Sequence, residues 1–141
     1  MQPTAILYPV FVQIALTFFL QFWMGRERVD AVQRGEVTVP DIALRERAWP
    51  KRATQIANAF HNQLELPILF YVLAAFALIT SRVDAVLLTL AWVFVALRLW
   101  HAYVHATHNI VHERFYVFAA GSMVLLAMWS YFAARIATAG L

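Results

Sequence analysis

The chain has 141 residues, of which 62% are apolar and only 13% are charged, and its mean hydropathy is +0.64. A soluble domain is about 45–50% apolar and about 25% charged, so this composition excludes an ordinary soluble fold and indicates a membrane protein. There is no cysteine, which excludes disulfides, zinc–thiolate sites and thiolate nucleophiles supplied by the chain. The formal net charge is +3, but seven of the eleven Lys/Arg lie between Arg26 and Arg52, mixed with five acidic residues. Such a mixed run is typical of a solvated loop, and we expect no nucleic-acid partner.

Four apolar stretches are long enough to cross a bilayer, which takes about 20 residues in a helix. They cover residues 5–24, 56–79, 85–106 and 115–137. Pro9 predicts a kink near the start of the first span. Because all four stretches are continuously apolar, they do not fit the alternating strands of a membrane β-barrel. The sequence therefore predicts an all-α membrane protein: one domain, residues 1–141, forming a bundle of four transmembrane helices.

The connections between the spans predict the orientation in the membrane. Residues 25–55 form a long charged loop with seven Lys/Arg, and the third connection carries Arg114. The opposite face carries only Arg82 and Arg135. Lys and Arg concentrate on the cytoplasmic side, so we expect loops one and three in the cytoplasm and both termini outside.

Polar residues inside two of the spans recur at helical intervals. Gln55, Asn58, Asn62 and Glu65 share one face of the second span, with His61 beside it. The third span carries a matching series, which consists of Arg98, His101, His105 and His108. Glu65 and Arg98 lie at similar depths, about 14 and 12 Å from the cytoplasmic side, so a buried ion pair between them is expected. Ionisable residues are costly inside a membrane, and their convergence predicts a polar pocket open to the cytoplasm.

These residues resemble the MAPEG family, the membrane-associated proteins in eicosanoid and glutathione metabolism. The segment 52–67, with Asn58, His61 and Asn62 followed by Pro67, resembles the family's Arg-rich, Asn-x-x-Glu-Asn signature. The spacing Arg98-x-x-His101-x-x-x-His105 resembles the third-helix Arg-x-x-His-x-x-x-Tyr of the family. Arg114 stands sixteen residues after Arg98, at the position of an arginine near the thiol site in glutathione-using members. The version found here looks like that of a bacterial branch, which implies a bacterial inner membrane.

The resemblance implies a homotrimer with sites between neighbouring subunits, glutathione as co-substrate, and an apolar electrophile that enters from the lipid. Arg114 is the candidate catalytic residue, because an arginine at the start of the fourth helix stabilises a thiolate. The candidate glutathione-binding residues are Lys51, Arg52, Asn58, His61, Asn62, Glu65, Arg98, His101 and His105. The implied reaction is conjugation or peroxide reduction.

Three departures from the family pattern keep other functions open. The second-helix glutamate is His61, the third-helix tyrosine is His105, and the aromatic residue after the second arginine is Phe118. A non-catalytic member that binds lipid, or a small subunit of a larger membrane complex, is therefore an alternative. A second alternative is a metal site, because histidines recur at intervals of four, three and four from His101 to His112. The sequence shows no internal repeat of the kind on which many transporter folds are built, so it does not favour a transporter.

Overall fold

The computed structural model describes residues 2–43 and 48–138, and these residues form helices and short connections without a strand. A 3₁₀ turn at Pro3–Ile6 leads into the long first helix, and a second 3₁₀ turn at Asn62–Leu64 separates two later helices. The α-helices are α1 (Leu7–Gln33), α2 (Val39–Ile42), α3 (Lys51–His61), α4 (Leu66–Ile79), α5 (Ala85–Ala106) and α6 (Val111–Thr138). Four helical stretches are long and apolar enough to cross a membrane: Pro3–Gln33, Lys51–Ile79, Ala85–Ala106 and Val111–Thr138. The chain is an all-α membrane protein built as a four-helix bundle, as the composition predicted.

The first helix is longer than the predicted span 5–24, and residues 25–33, which belong to the predicted charged loop, are helical. Pairs four residues apart stabilise this extension, since the Trp23 indole N–H donates to Glu27 (3.0 Å) and Arg26 lies 3.8 Å from Asp30. A helix of 27 residues is about 40 Å long and exceeds the roughly 30 Å core of a bilayer. The charged end of α1 therefore projects beyond the membrane.

The second span begins at Lys51, five residues before the predicted start, and is broken in the middle. Pro67 has no N–H, and its ring would clash with the carbonyl four residues earlier in a continuous helix. Before Pro67 the chain therefore forms the 3₁₀ turn and an irregular backbone at Glu65 (φ −100°, ψ −105°). The span therefore consists of a polar half, α3, and an apolar half, α4.

The third span, α5, has the bounds predicted for it, whereas α6 begins at Val111, four residues before the predicted residue 115. The connection between them is short, and Asn109 adopts a left-handed conformation (φ 50°) in which its N–H donates to the carbonyl of Val104 (2.8 Å). Arg114 consequently lies in the first turn of α6.

A polar layer divides the interior of the bundle into two apolar clusters. The larger cluster contains Phe70, Leu73 and Phe94, and the smaller one contains Leu20, Ile56 and Ala102. Between them lie three polar side chains that are at most 1% exposed, and these are Gln13, Gln63 and Arg98. The candidate site is built at this layer and on the side of the smaller cluster.

Candidate functional site

The break in the second span creates the binding partner of Arg98. In a continuous helix the carbonyl of Asn62 would accept the N–H of Leu66, but the break leaves it free. Arg98 Nη2 donates to this carbonyl (2.9 Å) and to the side-chain Oδ1 of Asn62 (2.6 Å). Asn62 Nδ2 in turn donates to Glu65 Oε2 (2.9 Å). The expected direct ion pair between Glu65 and Arg98 is therefore wrong, because Asn62 is interposed between the two charged groups.

Two glutamines complete the polar layer, and neither of them was among the predicted site residues. Gln13 Nε2 donates to Gln63 Oε1 (2.9 Å), and the same oxygen lies 3.3 Å from Arg98 Nη2. This chain of contacts connects α1, the second span and α5. Gln13 is fully buried and lies near the middle of the first apolar stretch, and a polar side chain at that depth is the signal by which it could have been found.

A cavity of about 270 Å³ lies between the break in the second span, the end of α5 and the start of α6. One wall is polar and the other is apolar. The polar wall consists of Asn62, Glu65, His101, His105 and Arg114. The apolar wall consists of Val111, Phe115 and Phe118. Five of the ten predicted site residues are thus brought together around one cavity.

The arginine of the cavity is held at the start of α6. Arg114 Nη1 donates to Asn109 Oδ1 (2.7 Å), which fixes one edge of the guanidinium. The backbone N–H of Arg114 donates to the carbonyl of Ile110 (3.0 Å). The N–H groups of residues 111–113 precede this bond, and N–H groups in that position have no partner within the helix and favour an anion. Positive charge and helix dipole coincide at this end of the cavity.

Arg98 lies behind the polar wall and is only 1% exposed. Its Nε and Nη1 atoms have no hydrogen-bond partner among the described residues. In this structure Arg98 therefore positions Asn62 and does not itself line the cavity.

The remaining four predicted site residues lie outside the cavity in a single protomer. Arg52 Nη1 donates to the carbonyl of Ala106 (2.7 Å), and the Arg52 guanidinium also packs 5.1 Å from the ring centre of Trp23. It thereby caps the end of α5. Lys51, Asn58 and His61 are exposed on α3. The single chain does not bring these four residues to the cavity.

The histidine series does not assemble a metal site within the described residues, where no group of three His, Asp or Glu side chains is close enough to hold an ion. The turn after Ala106 separates the series: His101 and His105 face the cavity, whereas His108 Nε2 lies 2.8 Å from Glu113 Oε2 on the exposed side. The alternative of a histidine-rich metal site therefore lacks the geometry that it requires.

A second polar cluster lies at the opposite end of the bundle and joins α5 to α6. Asp84 caps α5 by accepting the N–H of Leu87 (2.9 Å), and it also accepts the Tyr131 hydroxyl (2.6 Å) and Arg135 Nη1 (3.0 Å). Burial by itself would raise the pKa of Asp84, but these hydrogen bonds and the charge of Arg135 outweigh it and hold the pKa below its ordinary value. Asp84, Tyr131 and Arg135 are not among the residues that line the cavity.

Comparison with known proteins identifies a family. The model of the MAPEG family matches residues 6–134, a stretch that contains the second and third spans, most of the first and fourth, and every residue of the cavity. No curated protein and no solved structure matches the chain.

Proposed function

The chain belongs to the MAPEG family, and from this premise we propose that it is a glutathione-dependent transferase or peroxidase that acts on an apolar electrophile. The observation that supports this function is the two-sided cavity. One wall carries Arg114 and other polar side chains and suits a hydrophilic thiol. The other wall consists of Val111, Phe115 and Phe118 and suits an apolar molecule. The phenylalanine Phe115 is 63% exposed, so the apolar wall continues into the surface that meets the lipid.

Different residues of the cavity bind different groups of glutathione. Arg114 and the start of α6 stabilise the thiolate, because positive charge and unpaired N–H groups lower the free energy of a sulfur anion. Glu65 and the Asn62 amide bind the amino group and a carboxylate of the peptide. Arg98 supports them from behind through its two bonds to Asn62.

A homotrimer supplies the rest of the site. The cavity of one protomer, about 270 Å³, is slightly smaller than the range of about 300–1,000 Å³ typical of small-molecule sites, and it is open at Phe115. Lys51, Asn58 and His61 are exposed on α3, where they are free to complete a neighbour's cavity. In the cell the protein lies in a bacterial inner membrane, with the cavity on the cytoplasmic side.

Thermal unfolding in detergent with increasing reduced glutathione tests the proposal, with free glutamate as the control. A ligand that binds only the native state stabilises it by about 2.7 kcal/mol at 100 times its dissociation constant. We expect a saturable rise of the unfolding temperature with glutathione and none with glutamate. No rise at millimolar glutathione would contradict the proposal and favour a lipid-binding protein or a subunit of a larger membrane complex.

Turnover of the Arg114→Ala variant tests the catalytic residue. Loss of a charge-assisted bond to the thiolate removes about 1.5–3 kcal/mol of stabilisation, so we expect the rate to fall at least about tenfold. Arg26→Ala is the matched control, because Arg26 lies outside the cavity, with its side chain 82% exposed on α1. An unchanged rate for Arg114→Ala would remove this residue from the mechanism.

A further inference from the structure

Two histidines in the polar wall are almost completely buried. His101 is 3% exposed and His105 is 7% exposed, and their ring centres lie 5.6 Å apart in an edge-to-face arrangement. The Nδ1 atom of each ring is buried and has no hydrogen-bond partner among the described residues. Since both residues line the cavity, Nε2 is the ring nitrogen that each offers to a ligand.

The pairing of α5 with α6 brings His105 to the level of Arg114. The ring of His101 lies 5.7 Å from that of Phe118, and a methyl group at Gly121 would lie 3.9 Å from Leu97. In antiparallel helices this register is constant along the pair, so His105, one turn after His101, lies opposite Arg114, one turn before Phe118. An anion held by Arg114 is therefore within reach of the His105 ring.

The surroundings of the two rings favour the neutral imidazole. The charged groups around them are the Arg98 guanidinium from α5, the Arg114 guanidinium from α6, and the Glu65 carboxylate, which is already bonded to Asn62. Burial and neighbouring cations both disfavour an imidazolium. A proton on Nδ1 would be a buried donor without an acceptor, which is rarer and more costly than an unpaired acceptor. The proton therefore belongs on Nε2, facing the cavity.

We propose that His105 is a neutral hydrogen-bond donor that stabilises the sulfur anion of the thiol co-substrate through Nε2–H. This inference rests on the proposed thiol-transfer function. When the co-substrate binds, its S–H bond breaks, the electron pair stays on sulfur, and the proton is released to water. The imidazole keeps its own proton throughout, so it acts as part of an anion site and not as the base.

Thiolate formation and proton release test the proposal. Glutathione is added to the wild-type protein and to His105→Phe, His105→Gln and His112→Phe in detergent. The ultraviolet absorbance of the thiolate is followed against pH, and protons released are counted by calorimetry in two buffers of different ionisation enthalpy. His112 is the matched control because it is exposed and lies outside the cavity.

We expect about one proton released per thiolate formed in the wild type at a pH below the pKa of a free thiol, about 8.5. A hydrogen bond to a charged group changes an equilibrium constant by about tenfold or more, so His105→Phe should raise the midpoint pH of thiolate formation by about one. The amide N–H of His105→Gln restores a neutral donor and should recover most of this loss. His112→Phe should behave as the wild type.

Several outcomes would overturn the donor role. A thiolate formed without proton release would show that the protein keeps the proton, which contradicts the proposed release to water, and this test needs no variant. An unchanged midpoint in His105→Phe, or an equal loss in His105→Gln, would exclude the hydrogen bond. A thiolate that forms with the same midpoint pH in the wild type and in His105→Phe contradicts this inference alone, whereas no binding of glutathione to the wild type contradicts the proposed function as well.

Discussion

Asn62 is the residue on which the polar wall of the cavity depends. Its backbone carbonyl and side-chain oxygen bind the buried guanidinium of Arg98, and its amide group donates to Glu65. Each of these bonds joins a neutral group to a charged one, and such bonds are stronger than those between neutral groups. One uncharged side chain thus keeps a cation and a carboxylate in place without letting them neutralise each other directly.

Replacement of Asn62 by leucine should therefore destabilise the protein. The variant loses the Oδ1 acceptor of Arg98 and the donor to Glu65, and a bond to a charged group contributes about 1.5–3 kcal/mol. We expect the free energy of unfolding in mixed micelles to fall by about this amount. Asn58→Leu is the matched control, because Asn58 is exposed on α3 and its side chain makes no hydrogen bond within the described residues. Equal losses in the two variants would mean that the bonds to Arg98 and Glu65 add nothing to stability.

The sequence predicted part of this site at the level of single residues. The intervals of three and four group Asn62 with Glu65 and His101 with His105, and in the structure these four residues line one cavity with Arg114. The same periodicity assumed an unbroken second helix, so it paired Glu65 directly with Arg98. The direct pairing failed because Pro67 breaks the helix, and no spacing rule predicts how the free carbonyl of Asn62 is then used.

At the scale of elements, hydropathy located the four spans but not the ends of the helices. Hydropathy detects the part of a helix that lies in lipid. It therefore misses residues 25–33, which are helical but charged. The pair Arg26–Asp30 is a helical signal in this segment, but each such pair contributes only a few tenths of a kcal/mol. Hydropathy does not detect such pairs. The end of α1 is set instead by Gly35, in a left-handed conformation (φ 69°). The N–H groups of Gly35 and Glu36 close the helix by donating to Val32 and Ala31 (3.0 Å each).

Two glycines of α1 and its cap should respond to alanine in opposite directions. Gly35→Ala forces a Cβ into a left-handed conformation and should cost about 1 kcal/mol. Gly25→Ala should instead stabilise the protein by about 0.5–1 kcal/mol, because Gly25 lies inside the helix and an added Cβ meets nothing within 4 Å. Denaturant unfolding measures both effects, and hydrogen exchange at residues 32–36 should quicken in Gly35→Ala alone. A stabilising Gly35→Ala would contradict the assigned helix end.

The cluster at Asp84 predicts a pH dependence of the contact between α5 and α6. The folded protein holds the pKa of Asp84 below that of the unfolded chain, about 3.9. The stabilisation is therefore complete above about pH 4 and is lost as the pH falls through the lower pKa of the folded state. Asp84→Asn should lower the unfolding temperature at neutral pH, and the difference from the wild type should shrink below about pH 4.

Tyr131→Phe serves as the control for this dependence, because the Tyr131 hydroxyl binds the same carboxylate. In the Asp84→Asn background it should add less destabilisation than in the wild type, since contacts within one network are not additive. A deficit of Asp84→Asn that stays the same down to pH 3 would mean that the carboxylate charge is not what stabilises the contact.

For the whole molecule, the position of the site depends on the orientation in the membrane. The charged end of α1, the start of α6 and the cavity share one end of the bundle, and the cluster of Asp84 lies at the other. Seven Lys/Arg between Arg26 and Arg52 favour the cytoplasm for the end with the cavity. That is also the side on which a water-soluble thiol co-substrate would enter.

The absence of cysteine from the sequence makes this orientation directly measurable, because one introduced cysteine is then the single thiol in the chain. Glu36→Cys marks the connection after α1, and Ser81→Cys marks the turn between α4 and α5; both positions are exposed. In intact cells a membrane-impermeant thiol reagent should label Ser81→Cys and leave Glu36→Cys unlabelled until the membrane is opened. Labelling of both after opening is the control that each cysteine is accessible. The reverse pattern would place the cavity on the outer side, where the thiol co-substrate would have to be exported before it reached Arg114.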